Sequence, residues 1–150
     1  MALNNGNHKF YTELNGWRKG KVEQDSIQLF IVDDMPQVRL GLASMLELAT
    51  KNTRPKIKVI GSAKNGEDAI RQVEALHPDV ILMDLEMPVL DGFLATQTIK
   101  SRNPSIFILI LTIHDDPATR QKAARLGANG FIAKSAPPDN LIRAILEMVG

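Results

Sequence analysis

The chain has no cysteine among its 150 residues, which excludes a disulfide framework and a thiolate metal site. That absence fits a reducing, cytoplasmic setting. No apolar stretch approaches the roughly 20 residues that a membrane-spanning helix needs, so no membrane association is expected. The first residues are polar and Asn-rich rather than patterned as a secretory signal. Nor is there an excess of one charge: 18 basic residues face 17 acidic ones, for a net charge of +1. Bulk charge therefore gives no reason for direct nucleic-acid binding. Repeats and low-complexity tracts are also missing. What is present is 44% hydrophobic and 23% charged, enough for one ordinary domain with a normal core.

From residue 27 onward the pattern alternates strand and helix five times. Short apolar runs occur at Ile27–Val32, Ile57–Ile60, Val80–Met83, Ile106–Leu111 and Gly130–Ile132. Between them, Val38, Leu42, Met45, Leu46 and Ala49 share one helix face, as do Ala69, Ile70, Val73 and Leu76. Leu141, Ile142, Ile145, Leu146 and Val149 mark the last helix, and weaker patterns cover 91–102 and 117–126. Asp116-Pro117 reads as an N-cap followed by proline at the first helical position, Gly127 as a C-cap glycine, and Asp139 as a possible cap of the last helix. Near-continuous apolar strands, each followed by a helix, predict an α/β fold with a parallel sheet covered on both faces. Residues 1–26 stand outside this pattern and are expected to form a flexible N-terminal extension; Phe10, Leu14 and Trp17 could line one face of a short helix there, against Gly16 and Gly20.

Such sheets bind ligands at the carboxyl ends of their strands. Asp33-Asp34, Asp84 and Thr112 fall at that edge, and Lys134 lies just past the fifth strand. A carboxylate at the tip of a buried strand is expensive and calls for a reason. Up to three carboxylates brought together raise one another's pKa or demand a counter-ion. An all-oxygen donor set selects Mg²⁺ (or Mn²⁺). Lys134 adds a point charge for a phosphate oxygen, Thr112 a hydroxyl donor, and Asp84 a nucleophile able to form an aspartyl phosphate. Taken singly, each has a plainer reading. Asp33-Asp34 could be a turn and helix cap before Met35-Pro36, and Asp84 a loop cap. Thr112 could be a strand end and Lys134 a solvated lysine. Asp91, Asp115 and Asp116 read as helix starts, and His8, His77 and His114 as structural or surface residues. Jointly, four pieces at one edge of the same sheet are specific.

The motifs Val32-Asp33-Asp34, Met83-Asp84-Leu85-Glu86-Met87-Pro88, Asp91-Gly92, Leu111-Thr112 and Ala133-Lys134 resemble the receiver domain of two-component response regulators from Ile27 to Val149. The spacings, 28 residues from Asp84 to Thr112 and 22 from Thr112 to Lys134, are similar to that family's. The resemblance implies a flavodoxin-like (βα)5 three-layer sandwich over residues 27–150, with strand order 2-1-3-4-5. It implies Asp84 as acceptor of a phosphoryl group from a sensor histidine kinase. Asp33 or Asp34, Asp84 and the backbone carbonyl of Glu86 would hold Mg²⁺, and Thr112 and Lys134 would bind the phosphoryl oxygens. Phe131 matches the aromatic that moves with Thr112, so the fourth helix, fifth strand and fifth helix would form a switching face and a homodimer interface rimmed by Arg120, Arg125 and Arg143. The segments Leu111–Asp116 and Leu126–Lys134 resemble the subfamily with a LuxR-type helix-turn-helix output, which implies that DNA is reached only through a C-terminal output domain beyond this chain.

The chain departs from the family in places. Ile113 stands where many receivers carry a small residue and is expected to narrow access to Asp84 and slow acyl-phosphate hydrolysis. Ser135 stands where many have a cis proline; a non-proline cis bond costs about 2.5–4 kcal/mol, so a trans bond is expected. Phe131 lacks the hydroxyl of tyrosine, so any switch there acts through packing. The expected role is a non-enzymatic switch controlling transcription. The alternatives are a metal-dependent phosphohydrolase with Asp84 as nucleophile and Glu86 as acid/base, a stand-alone phosphorelay receiver, and a phosphate-independent interaction module.

Overall fold

The computed structural model of the protein describes residues 25–150. It is a five-stranded parallel sheet in the order β2-β1-β3-β4-β5. The strands are β1 Ser26–Val32, β2 Lys56–Ala63, β3 Val80–Met83, β4 Phe107–Thr112 and β5 Gly130–Ala133. The helices that follow them are α1 Pro36–Ala49, α2 Gly66–Leu76, α3 Gly92–Arg102, α4 Pro117–Arg125 and α5 Pro138–Val149. This is the expected flavodoxin-like sandwich. The helix expected around Phe10, Leu14 and Trp17 lies outside the described residues.

The two faces of the sheet follow from the period-2 alternation of strand side chains. Phe30, Val32, Ile81, Met83, Ile108 and Ile110 pack against α2, α3 and α4 through Ala69, Val73, Ala95, Ile99 and Ala123. Ile27, Leu29, Ile31, Leu82, Leu109 and Leu111 pack against α1 and α5 through Leu46, Leu141 and Ile145. Every residue of β3 is buried, as a central strand covered on both sides requires.

Two boundaries differ from expectation. β2 continues through Gly61-Ser62, which interrupt the apolar run. Its pairing with β1 shifts between Leu29 and Phe30, and a Cβ on Gly61 would come within 2.9 Å of the Phe30 ring. Glycine there admits the aromatic side chain that fills the core. Asp139 does not cap α5. Pro137 takes the N-cap position without a side-chain hydrogen bond, and Asp139 lies in the first turn, where its charge suits the helix dipole. The other punctuation holds. Asp116 and Asp91 accept from the backbone N–H of Thr119 and Leu94, and Gly127 has φ +109°, open to glycine. His77 ends α2 with φ +49°.

On the free edge of β2, two backbone N–H groups are taken up by side chains of α1 and its C-cap residue Thr50. Ile57 N–H donates to Thr50 Oγ1 at 2.9 Å and Val59 N–H to Glu47 Oε2 at 2.8 Å. Among the described residues no helix is long and apolar enough to cross a membrane.

Candidate functional site

Parallel strands deliver their last residues to one edge, and the residues just past β1, β3 and β5 are each tied to the end of a neighbouring strand by a backbone hydrogen bond. Asp33 N–H donates to Ala63 O (3.1 Å), Asp84 N–H to Val32 O (3.0 Å) and Lys134 N–H to Thr112 O (2.8 Å). Each site residue is thereby fixed to the neighbouring strand. Asp33 is 2% exposed, Asp84 7% and Thr112 fully buried, whereas Asp34 is exposed.

Asp33, Asp34 and Asp84 each present a carboxylate oxygen within 4.8 Å of the other two. Asp33 also shapes its own turn: Oδ1 accepts from Met35 N–H at 3.0 Å, and Arg39 Nη1 donates to the Asp33 carbonyl at 2.7 Å. The pair is therefore both a turn and a site, since Asp33 caps no helix; Met35 holds the N-cap position of α1. Lys134 Nζ reaches Asp33 Oδ2 at 2.7 Å and Asp84 Oδ1 at 3.8 Å. Burial pushes the Asp84 carboxyl up to about 6; Lys134 pulls the other way, Asp33 adds to the rise, the Glu86 N–H lowers it, and Asp34 raises it again. One ammonium thus leaves the three carboxylates under-compensated, which is the donor chemistry that suits a hard divalent cation.

Gly92 lies hard against this centre. A Cβ on it would fall 2.0 Å from the Asp84 carbonyl oxygen and 2.8 Å from Leu85 Cα, so the Asp91-Gly92 pair serves both to cap α3 and to let it approach the acceptor strand. Ile113, expected to narrow access to Asp84, turns 69% of its surface to solvent. The Lys134–Ser135 peptide is trans, as expected; the cis bond among the described residues is Arg54–Pro55. Phe131 is half-buried on β5, and the Arg120 guanidinium lies 4.7 Å from its ring centroid while Nε donates to Asp115 Oδ1 at 2.7 Å.

Two participants were missed in the sequence. Arg39 clamps the Asp33 carbonyl through a side chain three residues into α1. His114, read as a structural or surface residue, pairs through Nε2 with Glu86 Oε2 at 2.6 Å. A signal for the second pair did exist: Glu86 stands two residues past Asp84, and His114 two residues past Thr112, on loops leaving adjacent parallel strands.

The site as a whole brings three carboxylates, one lysine and one buried hydroxyl to the carboxyl edge of the sheet. The response regulator receiver domain family matches residues 29–146. The chain is 38% identical over 122 residues to "Transcriptional regulatory protein LnrK" of Bacillus subtilis (strain 168), a match covering 81% of this chain and 53% of that protein. It is 36% identical over 124 residues to a protein-glutamate methylesterase/protein-glutamine glutaminase of Methanosarcina acetivorans, covering 82% of this chain and 34% of that one. The chain thus spans about half or less of the curated relatives it matches. Among solved structures, the signal receiver domain of the putative response regulator NarL from Mycobacterium tuberculosis superposes with a TM-score of 0.75 at 29% identity, covering 83% of this chain and 97% of that one. A LuxR-family two-component response regulator from Aurantimonas sp. SI85-9A1 gives 0.75 at 32%, covering 83% and 85%. Family match, strand order and relatives agree: the chain belongs to the response regulator receiver domain family of two-component systems.

Proposed function

We propose that Asp84 is the phosphoacceptor of this receiver and takes its phosphoryl group from the phosphohistidine of a sensor histidine kinase. The Asp84 carboxylate oxygen bonds phosphorus as the phosphorus–nitrogen bond breaks, and the nitrogen keeps the electron pair. Asp33, Asp34, Asp84 and the Glu86 backbone carbonyl would hold Mg²⁺ or Mn²⁺, which when bound neutralises charge on the transferring group. Thr112 donates its hydroxyl to a phosphoryl oxygen. Lys134, now on Asp33, pairs with another. The observation that carries this reading is the cluster itself: three carboxylate oxygens within 4.8 Å, with Lys134 at 2.7 and 3.8 Å from two of them.

The protein acts as a switch rather than as an enzyme. A phosphohydrolase reading would use Glu86 as acid/base, but that carboxylate is committed to His114. Residues 27–150 are the receiver unit and 1–26 an extension, in the cytoplasm. Phosphorylation draws Thr112 toward the phosphoryl group and lets Phe131 repack, which changes the α4–β5–α5 face. Relatives that carry the name of transcriptional regulators support a DNA-binding output domain following this one; a stand-alone phosphorelay receiver is the second reading. Incubation with acetyl phosphate or a phosphohistidine donor and Mg²⁺ should label the wild-type chain to about one phosphoryl per molecule, without turnover, and Asp84→Ala should take up none. Label that survives the substitution overturns the assignment.

A further inference from the structure

Every polar atom of Asp33 has a partner. Its N–H donates to Ala63 O at 3.1 Å, its Oδ1 accepts from Met35 N–H at 3.0 Å, and its Oδ2 accepts from Lys134 Nζ at 2.7 Å. The fourth contact comes from the helix that follows: Arg39 Nη1 donates to the Asp33 carbonyl at 2.7 Å. Arg39 N–H donates to Met35 O at 3.2 Å, so the residue sits in the first turn of α1 and its side chain reaches back over the turn before it. A hydrogen bond from a guanidinium is charge-assisted and short. Placed on a neutral carbonyl, it takes no carboxylate oxygen away from a metal.

Asp34 is held differently. It is exposed, yet one of its carboxylate oxygens lies within 4.8 Å of one from Asp33 and one from Asp84. Like charges at that range repel, and among the described residues no hydrogen bond holds the Asp34 carboxylate in place. Its position therefore depends on the backbone that carries it. The Asp33 carbonyl and the Asp34 N–H belong to one planar peptide group. Holding that oxygen fixes the plane, and with it ψ of Asp33 and φ of Asp34, which aim the Asp34 side chain. Arg39 thus grips the one rigid unit that joins the two acidic residues.

We propose that Arg39 is a positioning residue for the divalent cation: it locks the Asp33–Asp34 peptide so that the Asp34 carboxylate stays at the metal site against repulsion from Asp33 and Asp84. The proposal rests on the reading of these aspartates as the Mg²⁺ site. Its sign sets it apart from a plain charge effect. A guanidinium beside the site opposes a second cation, so by charge alone its removal would tighten Mg²⁺ binding. By position, its removal loosens it.

The test follows Mg²⁺ binding to the full, unphosphorylated chain through backbone amide shifts at constant ionic strength. It compares wild type, Arg39→Met, Asp34→Ala and the double variant. Methionine keeps an unbranched stem and removes both donor and charge. Arg39→Met is expected to weaken Mg²⁺ binding about tenfold, the low end of the range for groups that orient metal ligands. Asp34→Ala should weaken it at least as much. Adding Arg39→Met to Asp34→Ala should change nothing further, since the ligand that Arg39 aims is gone. Unchanged or tighter binding in Arg39→Met overturns the proposal, and so does a double variant weaker than Asp34→Ala. If the amide shifts of Arg39→Met collapse toward unfolded values, Arg39 serves folding rather than position, and the proposal fails. Wild type with no saturable Mg²⁺ shift overturns the metal reading itself, and the proposal with it.

Discussion

Asp84 is held in conflict with its surroundings. Burial and two neighbouring carboxylates outweigh Lys134 and lift its pKa from 3.8 to about 6. Because the folded value lies above the unfolded one, the fold favours the protonated form. That stability is fully present below about pH 4 and is lost as pH rises through about 6. Asp84→Asn should therefore add on the order of 2–3 kcal/mol of stability at pH 7.5 without metal, read as a higher thermal midpoint, and leave the midpoint nearly unchanged at pH 4. Mg²⁺ should narrow the difference at pH 7.5; a variant no more stable than wild type at that pH contradicts the electrostatic account. Val89 is strained in a second way. It is a β-branched residue at φ +72°, and Leu90 N–H donates to Pro88 O at 2.9 Å, a tight three-residue turn of the rare positive-φ kind. Its side chain is 73% exposed, so little packing is at stake. Val89→Gly should stabilise by about 1 kcal/mol, strain relief exceeding the extra entropy of glycine; a lower urea midpoint would count against this. At this scale the sequence was legible where a residue ends an apolar run, as Asp33, Asp84, Thr112 and Lys134 do. Glu86–His114 and Arg39–Asp33 were not, because a contact between side chains of different loops, or between a helix and the turn before it, leaves no mark in periodicity.

At the scale of elements, α1 and β2 are joined by one buried threonine. Thr50 is fully buried; its hydroxyl donates to Leu46 O at 2.7 Å and accepts from Ile57 N–H at 2.9 Å. Thr50→Val keeps the shape and leaves Ile57 N–H unpaired in the interior, at a cost of about 1–3 kcal/mol. Chemical denaturation reads this directly; a loss of under half a kilocalorie would show that water reaches the amide. α4 is the contrasting case. Its sole buried residue is Ala123, and it lies on the protein through Lys122 over Phe93 (4.2 Å) and Arg120 over Phe131 (4.7 Å). That explains why its sequence pattern was weak: the apolar partners belong to α3 and β5, and the helix contributes mainly cations. β2 was under-read for a related reason, since Gly61 and Ser62 mean nothing in a strand until the Phe30 ring is seen to need the space.

Over the whole molecule, five strand–helix repeats were readable because the central strands β1, β3 and β4 are largely buried on both faces and so run nearly continuously apolar. Strand order was not in the pattern and came from family resemblance. The α4–β5–α5 surface, with Arg120, Arg125 and Arg143 exposed on it, is where phosphorylation should raise dimer affinity. Sedimentation with and without beryllofluoride and Mg²⁺ should show a shift toward twice the monomer mass; identical distributions would argue against this interface. The free edge of β2 bears on the same question. With the amides of Ile57 and Val59 already occupied by Thr50 and Glu47, that edge has two fewer donors to offer a strand from another molecule. Extension of the sheet from copy to copy, the usual route to fibrils, is blunted there, and helical surfaces are left as the more favourable route for two copies to meet.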